Sequence, residues 1–258
     1  MTSLTSVSRS LAQHSARLPR DGSIIAASAS SVVDPLYLSA IFDPLFVAAY
    51  PNTRLVEPVN LLQAVLRAFS TPRLTPKKGT RLVDLDKFVK ENSNRITVVF
   101  PECTTSNNRG ILPLSPCLLS APAKTKVYAV SLRYSPNDIT TPVPHSYGTF
   151  LWNLCAKPTH GIRIRIAEAV YNTSRREGVS TRGTSRGSSA DIPSSDGGSD
   201  ADTLVGGDEG EGPQTKEERA FLDHIAESLA RLGRVKRVGL GVKEKIDFTA
   251  AWSKYRRS

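Results

Sequence analysis

Ile24 to Ala27 form a short apolar run directly after the polar stretch RLPRDG, and its length and composition predict a buried strand. Asp34-Pro35 then opens a helix, because proline suits the first helical turn. From Asn60 onward, Leu61, Leu62, Val65, Leu66 and Phe69 fall on one helical face, and TPRLTPKKG (71–79) ends that helix with two prolines and a glycine. Leu82, Leu85, Phe88 and Val89 mark another amphipathic helix, followed by a β-branched strand from Ile96 to Phe100. Lys126 to Tyr134 reads as a further strand and SYGTFLWNLC (146–155) as a short helix. GIRIRIAEAV (161–170) alternates apolar and basic residues over its first half, as a strand with one solvated face does. Thr215-x-x-Glu218 is a capping-box pattern, and the helix it opens carries Phe221, Leu222, Ile225, Leu229 and Leu232 on one face before a stop at Gly233. Strands alternating with helices predict an α/β fold, a mixed and largely parallel sheet flanked by helices.

Residues 173–213 break this patterning. They are rich in Ser and Gly and nearly free of large apolar side chains, too few to offset chain entropy, so a disordered insertion is expected there. The expected layout is a disordered basic N-terminus (1–22), a folded domain (23–172), the insertion (173–213), and a C-terminal segment (214–258) with an amphipathic helix and a basic tail. That tail, from Arg234, holds eight basic residues against Glu244 and Asp247, a net charge of +6, with Phe248, Trp252 and Tyr255 interleaved. Basic and aromatic residues together fit a membrane surface, nucleic acid, or a solvated helix docked by its aromatics.

Composition narrows the picture modestly. A hydrophobic fraction of 39% supports a core, and a formal charge of +10 with a pI near 9.7 favours anionic partners. Cys103, Cys117 and Cys155 are odd in number and lack C-x-x-C spacing, so neither a metal site nor a disulfide framework is indicated and a reducing location fits. No run of 18 apolar residues exists; Val32 to Tyr50 comes nearest but holds two acids and two prolines, and reads as an amphipathic or interfacial segment. Residues 1–20 are Ser-rich with three arginines and no acid, a weakly transit-like pattern or a disordered terminus.

The chemistry concentrates in ITVVFPECTTSNNRGILPL, residues 96–114. A strand that ends in Pro-Glu and a polar turn puts Glu102 at the strand's carboxyl end, the edge where open α/β sheets bind ligands. There a carboxylate can accept substrate hydroxyls, while Thr104, Thr105 and Arg109 can meet phosphate.

This stretch resembles the third conserved block of the PlsC-type glycerolipid acyltransferases, usually written F-P-E-G-T-R-S. Phe100, Pro101, Glu102, Thr104 and Ser106 match; Cys103 stands for the glycine and Thr105 for the arginine, with Arg109 a nearby guanidinium. The Thr-Thr-Ser-Asn form looks most like fungal lysophosphatidic acid acyltransferases implicated in lipid droplet organisation. VYAVSLRY (127–134) resembles the fourth block, with Ala129 for a proline, and the second block has no convincing counterpart between Pro51 and Arg95. The family's first block, H-x-x-x-x-D, aligns with SASSVVD: Asp34 matches the aspartate and Ser31 the serine, but the histidine position is Ala29 and Ser28 stands for asparagine.

The resemblance implies a glycerol-3-phosphate acyltransferase-like fold and acyl-CoA as co-substrate, with no bound cofactor. Its histidine takes the proton of a lysophospholipid hydroxyl as that oxygen attacks the thioester carbonyl, and its aspartate fixes the imidazole. Lysophosphatidic acid, a membrane surface, and the cytosolic face of the endoplasmic reticulum or a lipid droplet are the implied substrate, partner and location. Asp34 is the expected remnant of the catalytic pair, with Glu102, Thr104, Thr105 and Arg109 as substrate-binding residues. Loss of a positioned base costs roughly 10²–10⁴-fold in rate, so an inactive homologue that still binds lysophospholipid or acyl-CoA is the alternative. Of the four histidines, His14, His160 and His224 read as ordinary surface or loop residues, and His145 has the best claim to replace the base. A nucleic-acid partner is not expected, because no such motif is present.

Overall fold

The computed structural model describes residues 18–141, 143–144, 147–175 and 214–255. The expected disordered insertion lies almost wholly outside these residues, as does most of the expected N-terminal tail.

Four parallel strands make the centre of the sheet: β1 (Ile24–Ala27), β2 (Leu45–Ala48), β5 (Thr97–Val99) and β7 (Lys126–Ser135), in the order β2-β5-β1-β7. Antiparallel strands complete the flanks. β3 (Leu55–Val59) and β4 (Val83–Asp84) follow β2, while β8 (Gly161–Ile166) and β9 (Val170–Tyr171) pair with β7. A separate ribbon joins β6 (Gly110–Ile111) to β10 (Lys236–Arg237).

Both faces of the central strands are covered, which is why they read as continuous apolar runs. On one face Ile25, Ala27, Phe46, Val98 and Tyr128 pack with Leu38 of α1 (Val33–Phe42) and Ala64 of α2 (Leu61–Phe69). On the other, alternate residues Ile24, Ala26, Val99 and Val127 pack with α3 (Leu85–Glu91), the 3-10 turn Pro116–Ser120 and α5 (Lys216–Gly233). Phe221, Ile225 and Leu229 of α5 are fully buried there, so the C-terminal segment supplies core. α4 (Tyr147–Cys155) caps the β7 end through Phe150 against Phe69.

Several expectations change in detail. The segment from Val32 to Tyr50 divides into a helix and a strand: α1 ends at Asp43 in a left-handed conformation, and Phe46 and Val47 enter the sheet. β3 escapes the sequence pattern because it is short and contains Pro58, which is tolerated where β4 no longer pairs. Thr215 and Glu218 form the expected reciprocal cap, at 3.2 and 3.0 Å. The left-handed residue closing α5 is Arg234 (φ 52°), not Gly233. Gly233 packs closely instead: a Cβ there would lie 3.2 Å from Val235 Cγ2, a tight contact, and 3.4 Å from the Ser131 hydroxyl on β7.

Candidate active site

Strand register builds the site. β1 and β5 run in parallel with Ala26 opposite Val99, so three residues further on Ala29 and Glu102 leave the sheet side by side. The Ala29 amide donates to Glu102 Oε1 at 3.3 Å, and the Ser106 amide donates to the Ala29 carbonyl at 2.8 Å. The two blocks singled out in the sequence thus form one structure. Ser28 joins it to β7, its hydroxyl accepting the Leu132 amide at 3.2 Å.

Asp34 is completely buried at the start of α1. Its Oδ2 accepts the Ser30 and Ser31 amides at 2.6 and 2.8 Å and the Ser30 hydroxyl at 3.3 Å, and its Oδ1 accepts the Tyr134 hydroxyl. Burial pushes its carboxyl up to about 6, against the opposing pull of these donors. Glu102 is buried too, with Oε2 accepting the Leu112 amide at 3.0 Å, and burial lifts it to about 7. Both carboxylates therefore organise backbone around them, and both titrate near neutrality.

A cavity of about 80 Å³ opens beside this pair, lined by Ala29 and Asp34, by the Thr104–Thr105 turn, and by Arg67. Its opposite wall is apolar, with Phe46 and Phe100 stacked at 6.4 Å. Arg67 is neutralised by Glu57 at 2.5 Å and also donates to the Tyr50 hydroxyl. Cys103, where the family pattern carries glycine, adopts φ 58°, the left-handed region that glycine enters without strain. Asn108 (φ 60°) makes the second such bend, which asparagine tolerates, and its amide reaches the Leu132 carbonyl at 3.0 Å.

The structure brings Ala29, Asp34, Thr104 and Thr105 to one cavity, with Glu102 directly behind Ala29. Arg109 is not among the cavity-lining residues. It is exposed, and lines a surface depression with Arg133 and Arg234. Among the described residues no histidine reaches Asp34: the ring of His160 contacts the Leu154 carbonyl at 2.9 Å, and His224 is exposed on α5. His14 and His145 lie outside the described residues.

Three site residues escaped the sequence reading. The pattern puts Tyr134 on a strand and Arg67 among apolar helix positions, and neither position carries a local sign of its role. Lys245, on α6 (Val242–Tyr255), reaches across to the motif turn, donating to Thr104 Oγ1 at 2.8 Å, Thr105 Oγ1 at 3.2 Å and the Thr105 carbonyl. Desolvation lowers its ammonium to about 8, while Glu102 pulls the other way. Nothing in the tail's composition separates Lys245 from its basic neighbours. Phe248 and Trp252 of the tail stack on each other at 5.9 Å and stay half-exposed.

A parallel sheet whose carboxyl edge joins a degenerate H-x-x-x-x-D block to an F-P-E block is consistent with the acyltransferase resemblance read from the sequence. Residues 10–135, just under half of the chain, match the family model described as Acyltransferase, and the chain is similar to this family there. The Schizosaccharomyces pombe protein named "Putative lysophosphatidic acid:oleoyl-CoA acyltransferase" is 29% identical over 148 residues, 57% of this chain and 48% of the relative. The match thus spans about half the length of that relative. No solved structure gives a significant match.

Proposed function

We propose that this protein binds a lysophospholipid, lysophosphatidic acid in the first instance, together with acyl-CoA, and that acyl transfer between them is slowed by the missing base at position 29. The observation that carries the reading is the methyl of Ala29 on the cavity wall beside Asp34. Chemistry of this class needs the attacking hydroxyl to lose its proton as its oxygen bonds to the thioester carbon and the CoA thiolate leaves. Alanine cannot take that proton. Asp34 is held by Ser30, Ser31 and Tyr134, so its oxygens face the loop that they organise. The apolar wall around Phe46 and Phe100 suits an acyl chain, and the Thr104–Thr105 turn with Lys245 suits an anionic headgroup.

The location proposed is the cytosolic face of the endoplasmic reticulum or a lipid droplet. No helix among the described residues is long and apolar enough to cross a membrane. Leu36 and Ile41 on α1, Leu62 and Leu66 on α2, and Trp152 on α4 are nonetheless exposed, around the side where the cavity lies. Such a face suits an interfacial attachment.

A second reading, a fully active acyltransferase, is favoured by the name of the fission-yeast relative. One assay separates the two. With lysophosphatidic acid and oleoyl-CoA, the Ala29→His variant should turn over roughly 10²–10⁴-fold faster than the unmodified protein, the size of a positioned general base. Equal rates in both would sink the slowed-chemistry reading and establish another base. Substrate binding by both proteins without turnover in either would mean the cavity keeps only its binding role.

A further inference from the structure

The strongest unassigned feature is a concentration of arginine at the end of β7 and β8. In the antiparallel pairing Arg133 stands directly opposite Arg163, and Arg165 is two residues along the same face of β8. Like charges directly opposite one another destabilise a sheet. Two adjoining depressions, of about 480 and about 800 Å³, share Arg133 and Arg234. The first adds Arg163 and Arg165; the second adds Arg109, Arg231, Lys236 and Arg237, with Glu227 the one acid on either wall. Desolvation and the charges of Arg234, Arg163 and Arg133 lower the proton affinity of Arg165.

Part of this cluster has a structural task. Arg133 Nη1 donates to the Gly233 carbonyl and Arg165 Nη1 to the Leu232 carbonyl, each at 2.7 Å, closing the end of α5. Arg237 is paired with Asp223 at 2.5 Å. Arg109, Arg163 and Arg234 make no ion pair among the described residues; Arg163 lines the first depression, Arg109 the second, and Arg234 both. A fold that sets unpaired guanidinium groups against one another gains nothing in stability from them. Guanidinium forks match phosphate oxygens two at a time.

We propose that this groove binds the phosphorylated nucleotide end of acyl-CoA. The assignment rests on the reading of acyl-CoA as co-substrate and gives its adenosine phosphates a site. The turn from Thr104 to Arg109 connects the two regions: Thr104 lines the cavity and Arg109 lines the groove. Five residues of chain separate their Cα atoms by no more than about 18 Å, a span for an extended pantetheine arm. A flat membrane headgroup surface is the other source of phosphate. None of the exposed large apolar side chains among the described residues lines either depression, whereas membrane contact calls for apolar side chains beside the basic ones.

The test uses the full chain and the variant R109Q/R163Q, which spares the two arginines that close α5. Titration calorimetry with CoA should show binding weakened by about tenfold or more, the loss of one or two charge-assisted hydrogen bonds. Binding of an acyl-pantetheine, which lacks the nucleotide, should be unchanged. The variant's unliganded melting temperature should hold or rise, because repulsion is relieved; a purely structural role would lower it. Equal CoA affinity in both proteins overturns the proposal. So does loss of binding to phosphatidylserine vesicles with CoA affinity intact, which makes the groove a headgroup surface. If the unmodified protein binds acyl-pantetheine but not CoA more tightly, the groove assignment fails and the co-substrate reading stands; if it binds neither, the co-substrate reading itself fails.

Discussion

Glu102 shows at the residue scale how burial sets chemistry. Its folded carboxyl lies near 7 against an ordinary 4.5, with burial the main cause and the Leu112 and Ala29 amides opposing it. An acid raised in this way favours the fold while it keeps its proton. That contribution is complete below about pH 4.5 and is lost as pH rises through 7, on the order of 3 kcal/mol in all. Glu102→Gln has no such proton to lose. Chemical denaturation from pH 4.5 to 8 should therefore show the unmodified protein losing stability relative to Glu102→Gln; a pH-independent difference between them would refute the buried-acid account. Glu102 and Asp34 were both legible in the sequence from motif resemblance. Their protonation was not, because it depends on neighbours 10 to 100 positions away, Leu112 and Tyr134 among them.

The C-terminal helix α6 illustrates what an element can hide. Its sequence is basic and aromatic, and the aromatics point to docking, yet the contact that joins it to the site is one lysine. Lys245 gives its donors to the two threonines of the motif turn, one of which, Thr105, occupies the arginine position of the family pattern. A cation is thus supplied to that turn from 140 residues away in the chain. Hydrogen bonds from a charged donor are worth about 1.5–3 kcal/mol. Lys245→Met should then speed amide exchange across α6 by about tenfold or more, while α5, anchored by Phe221, Ile225 and Leu229, keeps its protection. Unchanged exchange in α6 would show that other contacts hold it. The helices with clean amphipathic patterns, α2 and α5, were readable because burial of one face follows from spacing alone. β2 and β3 were not: β2 follows α1 within two residues and merges with its apolar run, and β3 carries Glu57 and Pro58, which break a strand pattern.

At the scale of the whole molecule, arginines gather at the β7–β8 end, while large apolar side chains are exposed on α1, α2 and α4 and, in the C-terminal segment, at Leu240, Phe248 and Trp252. Replacing Leu62, Leu66 and Trp152 together with serine should lower partitioning onto phosphatidylcholine and phosphatidic acid vesicles by roughly tenfold or more, given the apolar area withdrawn. Cosedimentation equal to that of the unmodified protein would move the membrane contact elsewhere. The sequence by itself determined the α/β class, the capping of α5, and the two blocks that carry the family likeness, because each is written in neighbouring residues through spacing, propensity or side-chain type. It also determined that position 29 is alanine. Only the tertiary structure decided that Ala29 and Glu102 adjoin, that Tyr134 holds Asp34, that Lys245 serves the motif turn, and that Arg109 leaves the cavity for an arginine groove. Those outcomes depend on strand register and helix docking, which are set by packing between distant segments and leave no local trace in the chain.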